Sequence, residues 1–488
     1  MTRHGISDLL GRVPTGCYIG GQWREGGSGE RFEVVNPATG QPLTTVASAT
    51  AEDGMAALAA AAAAQDAWTG TAPRERAELL RAGFEAIMAR ADDFALLMCL
   101  EMGKALPEAR GEVAYGAEFL RWFSEQACQI RGGYAPAPDG KQRILVTTRP
   151  VGPCLLITPW NFPLAMATRK AGPALAAGCS VVIKPATATP LTTLLFAQVM
   201  AEVGLPPGVL NVIPTTSAGA VTGPLLADPR LRKLSFTGST EVGRTLLAAA
   251  APRVLRTSME LGGNAPFVVF PDADLDAAVA GAMAAKFRNI GQACTAANRF
   301  IVHADIAGEF ASRLAHDASQ LVVGPGYEDG NVLGPVIDEA ARERMHGLVL
   351  AAQAEGARVL TGGVLPDGAG FFYPPTVLSD VSPDSAIMRE EIFGPVAPIT
   401  AFETEEEALR LANDSDFGLM SYCFTSDFAR MMRVVERLDS GMVAANSGVI
   451  SNPAAPFGGL KQSGLGREGG AEGIEEYLET VYIGIGGL

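Results

Sequence analysis

Pro153-Cys-Leu-Leu-Ile-Thr158 is a short, almost wholly apolar run that predicts a buried β-strand. A similar run, Ser180-Val-Val-Ile-Lys184, follows it, and runs at 209–213 and 233–236 continue the series. Segments of helical character separate them, and one is predicted to begin at Thr189-Pro190, with a capping threonine and a proline in its first turn. This alternation is typical of βαβ units. We therefore predict a parallel sheet of the dinucleotide-binding type.

A second βα series is predicted further along the chain. Apolar runs at 265–270 and 299–303 flank a helix expected over 274–289. Upstream of the first sheet, 51–68 and 74–101 are predicted to be two amphipathic helices packed against it. The expected fold class is therefore α/β, with two sheet-containing domains.

Two further segments alternate apolar and polar residues outside this rhythm. They are 142–150 and the tail at 477–485, and we predict them to be exposed strands that pair with another chain. The predicted domains are a dinucleotide-binding domain at 1–132 and 151–258, a second α/β domain at 259–466, and oligomerisation strands at 133–150 and 467–488.

The composition excludes several classes of protein. The chain has 488 residues, is 48% apolar and 19% charged, and carries a net charge of −15 without a basic stripe, so a nucleic-acid partner is not expected. Its longest apolar runs are far short of the roughly 20 residues that cross a membrane, and the N-terminus lacks a secretory signal pattern. Seven cysteines without paired spacing indicate a reducing compartment and no metal site. We expect a cytoplasmic enzyme acting on a small molecule.

The segment Lys286-Phe-Arg-Asn-Ile-Gly-Gln-Ala-Cys294 contains the strongest candidate nucleophile. Its thiol follows a Gly-Gln-Ala turn and lies six residues after Arg288, and a nearby cation makes a thiolate more available. None of the four histidines lies in a motif that would pair it with Cys294, which weakens a Cys/His hydrolase interpretation. A lone cysteine is by default a small buried hydrophobe, so the other motifs have to decide.

Two motifs follow predicted strands of the first sheet. In Thr158-Pro-Trp-Asn-Phe-Pro163, the amide of Asn161 is placed where α/β sheets bind ligands and can donate to an oxyanion. Lys184, at the end of the next strand, can hold a ribose hydroxyl or a phosphate. Taken singly, a turn-forming asparagine and a solvated lysine explain them equally well.

Two more motifs are informative: one predicts an anion-binding helix start, and the other contains a glutamate suited to act as a base. In Phe236-Thr-Gly-Ser-Thr-Glu-Val-Gly243, free N–H groups at a helix start are predicted to bind a pyrophosphate, with Gly238 and Ser239 forming the turn. Glu260 lies in the Gly-rich segment Met259-Glu-Leu-Gly-Gly-Asn-Ala265, where partial desolvation is expected to raise its pKa toward that of a general base. Each of these also fits an ordinary turn.

Together, and in this order over nearly the whole chain, these segments resemble the aldehyde dehydrogenase superfamily, as do Glu390-Glu-Ile-Phe-Gly-Pro395 and Pro456-Phe-Gly-Gly459. The resemblance implies a Rossmann-type cofactor domain, an α/β catalytic domain and a small β oligomerisation extension. It implies Cys294 as nucleophile, Glu260 as general base, and Asn161 with the Cys294 N–H as oxyanion hole. Contacts to NAD or NADP are implied for Thr158, Trp160, Lys184, Thr187, Gly238, Ser239, Glu391 and Phe393.

Within that superfamily the chain looks most like succinate-semialdehyde dehydrogenases, through Met166-Ala-Thr-Arg-Lys170, Lys286-Phe-Arg-Asn289 and Ile450-Ser-Asn452. The likeness implies a clamp on the substrate's carboxylate by Arg169, Arg288 and Ser451. Alternatives are a glutarate- or 2-oxoglutarate-semialdehyde dehydrogenase, a broad-range aldehyde dehydrogenase and, more distantly, a cysteine esterase.

The same likeness bears on cofactor and assembly. NAD-preferring relatives often carry a glutamate three residues after the strand-end lysine, where this chain has Thr187. The absence of a carboxylate there favours NADP, or use of both cofactors. A homodimer or homotetramer is implied.

Overall fold

The structure is a computed structural model that describes residues 3–486. Its strands, numbered in chain order, are β1 Cys17–Ile19, β2 Gln22–Arg24, β3 Arg31–Asn36, β4 Gln41–Ala47, β5 Gly133–Pro136, β6 Gln142–Pro150, β7 Cys154–Ile157, β8 Val181–Lys184, β9 Leu210–Val212, β10 Lys233–Thr237, β11 Arg256–Glu260, β12 Ala265–Val269, β13 Ala297–His303, β14 Arg358–Thr361, β15 Thr376–Ser379, β16 Val396–Phe402, β17 Phe417–Gly418, β18 Met420–Phe424, β19 Met442–Ala445, β20 Leu460–Lys461, β21 Gly464–Leu465 and β22 Leu478–Gly486.

The α-helices are α1 Arg3–Leu10, α2 Ala51–Gly70, α3 Pro73–Ala89, α4 Ala91–Glu101, α5 Leu106–Ala127, α6 Pro163–Ala177, α7 Leu191–Glu202, α8 Ala218–Ala227, α9 Thr240–Ala250, α10 Leu275–Phe287, α11 Ala304–Ser319, α12 Glu339–Ala354, α13 Ala386–Arg389, α14 Glu405–Asn413, α15 Phe428–Val435 and α16 Glu472–Glu475. Short 3₁₀ turns lie at Ala251–Arg253 and Arg288–Gly291. None of the described helices is long and apolar enough to cross a membrane.

The first sheet has the order β2-β1-β9-β8-β7-β10-β11-β21. Its five inner strands, from β9 to β11, are parallel, and antiparallel strands flank them at each side. The strands β7, β8 and β10 are buried at every residue because helices cover both faces, as continuous apolar runs require. The predicted parallel sheet is confirmed.

The second sheet has the order β14-β15-β16-β13-β12-β18-β19 and is parallel except for β14. It contains both strands predicted for the second βα series, as β12 and β13, and α10 begins after Asp274, whose side chain accepts from the N–H of Ala277. The predicted domain boundary at 258/259 falls within β11. This strand pairs on one side with β10, from the first predicted domain, and on the other side with β21, from the second. The division into domains therefore stays a prediction.

The third sheet corrects one prediction. β6 and β22 lie where strands were predicted, but they pair with each other along their whole lengths, and β5 covers the other side of β6. β6 is therefore the middle strand and not an exposed edge. Because β22 belongs to the same chain, its effective concentration at the edge of β6 is high, and it pairs there in preference to a strand of another molecule. The open edges of this sheet are β22 and β5.

The predicted helix over 74–101 is in fact two helices, α3 and α4, which break at Arg90. The run Phe94–Leu100 in α4 is buried all round, whereas α3 buries one face only, so a single straight helix would expose part of the apolar run. Asp92 and Asp93 lie in the first turn of α4, where the helix dipole stabilises carboxylates.

The start of α7 also differs from the prediction. The helix begins at Leu191, and no threonine side chain caps it. Instead, the buried carboxylate of Glu101 at the end of α4 accepts from the main-chain N–H groups of Leu191 and Thr192 at 2.8 and 2.9 Å. A cap from a distant residue satisfies the same donors as a local one, and sequence spacing does not show it.

Candidate active site

One cavity of about 330 Å³ is lined by segments from both large sheets. Its walls come from the segments after β7, β10 and β11 and from those before β13 and β16, so it lies at the carboxyl ends of the first sheet, where α/β folds bind ligands. Wider clefts exist, such as one of about 780 Å³ beside β6, but they lack the predicted nucleophile. The lining residues are Pro159, Trp160, Asn161, Met166, Thr237, Gly238, Ser239, Leu261, Gly262, Cys294, Arg344, Glu391 and Phe393.

Cys294 lies half-buried in this cavity, between the 3₁₀ turn and β13. Burial raises the pKa of its thiol to about 12; the Arg169 guanidinium opposes this shift, and the carboxyls of Glu391 and Glu260 add to it. The cation that lowers the thiol pKa is thus Arg169, rather than Arg288 as the sequence suggested. A thiol with so high a pKa needs a proton acceptor at the moment of attack.

Asn161 is buried in the wall of the cavity close to the Cys294 segment. Its Nδ2 donates one hydrogen bond to the carbonyl of Gln292 at 3.0 Å, and its second amide hydrogen has no acceptor within residues 3–486. Its main-chain carbonyl accepts from Lys104 Nζ at 2.9 Å. The Lys104 ammonium, itself fully buried, forms an ion pair with Glu112. The amide is therefore fixed in place with one donor to spare, as an oxyanion hole requires.

Glu260 ends β11 and is 1% exposed. Neither carboxylate oxygen meets a hydrogen-bond donor in the described part of the chain. Burial and the nearby Glu468 carboxylate raise its pKa well above the usual value, against the charges of Arg169 and Lys170. Gly458 lies against it, since an added Cβ there would come within 2.9 Å of Oε1. A carboxyl group with a raised pKa and free oxygens is suited to taking a proton from water.

Arg169 and Lys170 both form buried ion pairs with Glu468. The Arg169 guanidinium also stacks on the Phe457 ring at 4.2 Å from its centroid. Burial alone would lower the pKa of Arg169, but Glu468 and Tyr115 raise it above its usual value. Arg169 is therefore charged and fixed in place, and part of its guanidinium is already engaged by Glu468.

Arg288 differs from Arg169 in forming no ion pair within the described residues, although its charge acts on the nearby Glu108 carboxyl. No carboxylate lies within 4.0 Å of its guanidinium in the described residues, and the side chain is half-buried. Burial raises the pKa values of Tyr115 and Tyr422; among the neighbouring charges, Arg288 lowers both values and Cys294 raises both. Arg288 thus lies on the same side of the site as the nucleophile.

Ser451 lies half-buried in the segment 446–453, whose path the sequence left open. This segment runs beside α10, because an added Cβ at Gly448 would come within 2.2 Å of the Gly281 carbonyl oxygen. The Ser451 hydroxyl makes no hydrogen bond with any residue that the structure describes, so the structure does not join it to the two arginines.

Lys184 and Thr187 lie at the carboxyl end of β8. Burial lowers the pKa of the Lys184 ammonium to about 8, and within residues 3–486 no carboxylate approaches it within 4.0 Å. The Thr187 hydroxyl donates to the carbonyl of Thr215 at 3.0 Å. An unpaired, partly desolvated cation beside a neutral hydroxyl fits a ribose or a phosphate ester.

The helix start after β10 has fewer free donors than predicted. The N–H of Gly238 donates to the Glu260 carbonyl at 3.1 Å, and the Ser239 Oγ caps α9 by accepting from Val242 at 3.4 Å. The N–H groups of Thr240 and Glu241 find no protein acceptor in the described residues and stay available for an anion.

The other end of the cleft has an aromatic pair and a carboxylate. The Trp160 and Phe393 rings meet edge to face, with centroids 5.4 Å apart. Glu391 Oε1 accepts from the N–H of Gly263 at 3.0 Å, and burial raises the Glu391 pKa to about 7. The Thr158 hydroxyl is buried without a partner among the described residues. These groups, with Lys184 and Ser239 at the far end, fit a dinucleotide laid across the edge of the first sheet.

Sequence comparison decides the family. The model described as the aldehyde dehydrogenase family matches residues 23–483. The chain belongs to the aldehyde dehydrogenase family. It is 62% identical over 443 residues to a succinate-semialdehyde dehydrogenase of Paenarthrobacter nicotinovorans, covering 91% of this chain and 98% of that one. It is 46% identical to a glutarate-semialdehyde dehydrogenase of Pseudomonas aeruginosa, covering 97% and 98%. A crystal structure of an Escherichia coli NADP-dependent enzyme superimposes with a TM-score of 0.96 at 46% identity, covering 98% and 99%.

Several residues of this aldehyde dehydrogenase site were not predicted. Glu468 pairs with Arg169 and Lys170, and Lys104 with Glu112 supports Asn161. Charged residues in helices and Gly-rich turns are usually solvated, so nothing in their spacing marks them as buried. By contrast, the structure brings Cys294, Asn161, Glu391, Phe393, Trp160 and Ser239 around one cavity, as the family resemblance implied.

Among residues 3–486 no group of three or more histidine, cysteine or acidic side chains is arranged to hold a metal ion.

Proposed function

We propose that this aldehyde dehydrogenase oxidises succinate semialdehyde, or a closely related carboxylated aldehyde, to the acid with NADP or NAD. The observation that carries this proposal is the guanidinium of Arg288, which forms no ion pair within the described residues and acts on the same two tyrosines as Cys294. A half-buried arginine outside an ion pair attracts a carboxylate, and its guanidinium binds one through two parallel hydrogen bonds. The names of the relatives point to the same substrate class.

The first half of the proposed reaction uses Cys294 and Asn161. The thiol gives its proton to a water molecule or to Glu260, the sulfur attacks the aldehyde carbon, and a C–S bond forms as the carbonyl electron pair moves to oxygen. Nδ2 of Asn161 and the N–H of Cys294 donate to this oxygen, and one such donor is worth about 3 kcal/mol of barrier. A nicotinamide dinucleotide held in the cleft would supply the hydride acceptor for this carbon. As the oxygen electron pair re-forms the carbonyl, a thioester on Cys294 would remain.

The second half uses Glu260. Its carboxylate takes a proton from a water molecule, the water oxygen attacks the thioester carbon, and the C–S bond breaks. The acid leaves, and the sulfur departs as a thiolate that regains a proton from Glu260 or from water, so both groups return to their starting states. The raised pKa of Glu260 suits it to this step, because a stronger base removes the proton more readily.

Steady-state kinetics over a series of ω-carboxy aldehydes and neutral aldehydes of equal length tests the substrate. We expect kcat/KM to be highest for a four- or five-carbon acid and at least tenfold lower for the matching neutral aldehyde. Equal values for the acid and neutral members would overturn the carboxylate clamp. A peak at five carbons would instead favour glutarate semialdehyde. Ester hydrolysis without any aldehyde-dependent reduction of NADP would identify an esterase.

Replacing Arg288 by alanine should raise KM for the acid substrate about 10- to 100-fold and change kcat little. A charge-assisted hydrogen bond of about 1.5–3 kcal/mol is lost in the ground state and the transition state alike. The KM for neutral aldehydes should change less than about threefold, because they lack the carboxylate that Arg288 is proposed to bind. Arg288→Lys is the matched control. Its KM for the acid substrate should lie between those of the wild type and Arg288→Ala, since lysine keeps the charge but cannot form the two parallel hydrogen bonds of a guanidinium. Equal losses for acids and neutral aldehydes would contradict the role.

We also propose that NADP is used at least as well as NAD. The support is the neutral Thr187 hydroxyl at the end of β8 and the unpaired Lys184 ammonium beside it. A carboxylate at 187 would repel a 2′-phosphate, and here none does. Lys184 and Ser239 would hold the adenosine and pyrophosphate groups, and Thr158, Trp160, Glu391 and Phe393 the nicotinamide end.

The Lys184 pKa of about 8 predicts a pH dependence. Below this pH the ammonium is charged and attracts the 2′-phosphate, and above it the group becomes neutral. The KM for NADP should therefore rise about tenfold between pH 7 and pH 9. Initial rates at saturating aldehyde would measure it. Lys184→Met is the control, with a high KM that does not change over this range; a parallel rise in the variant would assign the titration to another group.

The proposed location and assembly complete the description. All seven cysteines are free, which suits the reducing cytoplasm, and we place the enzyme there. We propose a homodimer or homotetramer in which the third sheet takes part. The strand β22 is an open edge and exposes Tyr482, Ile483 and Ile485, so it can add to a sheet of a second copy. Sedimentation of the full chain would give the state.

A further inference from the structure

Asn289 connects the two segments that would supply the oxyanion donors. Its Nδ2 donates to the carbonyl of Asn161 at 3.2 Å and to the carbonyl of Gln292 at 2.9 Å. The side chain is buried, at 1% exposure. We infer that Asn289 is a positioning residue that holds the Asn161 amide and the Cys294 N–H in register; this inference rests on the proposed acyl-transfer chemistry.

The contacts of Gln292 explain why one side chain has this influence. Its carbonyl accepts from Asn161 Nδ2 at 3.0 Å as well as from Asn289. The Asn161 carbonyl likewise accepts from Asn289 and from Lys104. Asn289 is thus the one amide among the described residues that bonds to both segments at main-chain atoms, and Cys294 follows Gln292 by only two residues.

The backbone of Asn289 holds this amide in place. Asn289 has φ 55° and Ile290 φ 62°, both in the left-handed region, and Gly291 continues with φ 69°. Asparagine tolerates this conformation better than most residues, whereas a β-branched isoleucine does not, so the turn is strained. The N–H of Asn289 also donates to Glu108 Oε1 at 2.8 Å. Strain at such a turn persists where surrounding contacts fix it, as they do here.

Loss of the amide should act on the transition state more than on binding. Asn289 is buried, and its Nδ2 already donates to two main-chain carbonyls, so it has no donor left for the aldehyde. Without it, the bond from Asn161 Nδ2 to the Gln292 carbonyl alone joins the two segments at this point, and they can shift relative to each other about that single bond. Misplacement of a reacting group by about 1 Å costs about 100-fold in rate. The expected signature is a fall in kcat at nearly constant KM.

The test uses Asn289→Asp, which keeps the size and the tolerance of left-handed backbone but has no N–H donors. We expect kcat for aldehyde oxidation to fall about 10- to 100-fold and the aldehyde KM to change less than about threefold. Alkylation of Cys294 by iodoacetamide, a reaction without an oxyanion, should change less than about threefold. The fold-loss of kcat in the double variant Asn161→Ala/Asn289→Asp should be smaller than the product of the two single fold-losses, because the two residues act as a unit.

Asn211→Asp is the matched control. Asn211 is equally buried and donates to two main-chain carbonyls, those of Val181 and Gly208, at 3.2 and 2.7 Å, within the first sheet. Its replacement should lower thermal stability similarly and leave kcat unchanged. If Asn289→Asp does not yield folded protein, Asn289→Gly replaces it, since glycine adopts the same turn without strain.

Three results would overturn the inference: kcat of the folded variant within twofold of wild type, an equal kcat loss in Asn211→Asp, or a fall in alkylation that matches the fall in kcat. Hydrolysis of an activated acetate ester is measured in parallel, because it needs the oxyanion donors but no aldehyde or cofactor. An ester-hydrolysis loss in Asn289→Asp supports the inference even if the wild-type protein oxidises no aldehyde, and that second failure would count against the proposed function alone.

Discussion

Replacing Cys294 by alanine should abolish the reduction of NADP or NAD by aldehyde, with a loss of at least about 10⁴-fold in kcat. Without the sulfur no thioester forms, and the aldehyde carbon lacks the tetrahedral intermediate from which the hydride leaves. Removal of a catalytic nucleophile generally costs this much because the remaining groups act only together with it. The thiol is half-buried and donates no hydrogen bond to any residue within 3–486, so the variant should fold normally.

Cys128→Ala is the control for this experiment. Cys128 is the exposed cysteine, lies beside β5 and away from the cavity, and should be replaceable without effect on kcat. Dinucleotide binding to Cys294→Ala, measured by quenching of protein fluorescence, should stay within about threefold of wild type, since Cys294 supplies chemistry and little affinity. An active Cys294→Ala protein would mean that another residue makes the bond to substrate.

Replacing Glu260 by glutamine should separate the two halves of the reaction. The first half needs no base at Glu260 after the thiol has reacted, so one NADPH per site should appear in a burst. The steady state that follows should be about 10²–10⁴-fold slower, because the amide cannot take the proton from water. Stopped-flow absorbance at the NADPH band, with enzyme at micromolar concentration, resolves the two phases.

Hydroxylamine provides the matched test of that assignment. It is a strong nucleophile that attacks a thioester without a base, so it should restore turnover in Glu260→Gln and have little effect on wild type. If the burst is lost together with the steady state, Glu260 acts before hydride transfer, as the acceptor of the Cys294 proton. The raised pKa of Glu260 also predicts that wild-type kcat rises with pH as this buried carboxyl loses its proton.

The central strands were predictable because they carry their own signal. β7 and β8 are buried on both faces, so each is apolar up to the carboxyl end, where β8 ends in Lys184, and such runs stand out between helical segments. The break at Arg90 and the cap of α7 by Glu101 were not predictable. Both depend on which face of α4 meets its neighbours, and periodicity within one segment holds no information about that.

The motifs identified the proposed catalytic residues, but their electrostatic surroundings could not be predicted. Glu468 lies 298 positions after Lys170 and still sets the charge around Glu260 and Arg169. The sequence also suggested Arg288 as the cation beside the thiol, whereas Arg169 takes that place. Pairings of this kind arise only when distant segments are packed together, because a buried charge requires a partner from wherever the fold can supply one.

The short strand β21 has a consequence for the order of events during synthesis. β11, which ends in Glu260, pairs on its outer side with Gly464–Leu465, and the N–H of Leu261 donates to the Ser463 carbonyl at 2.9 Å. While the ribosome makes the intervening part of the chain, that side of β11 has no partner, and Glu468, whose charge helps to raise the Glu260 pKa, has not yet been made. Glu260 therefore reaches its full pKa shift only when almost the entire polypeptide has been made.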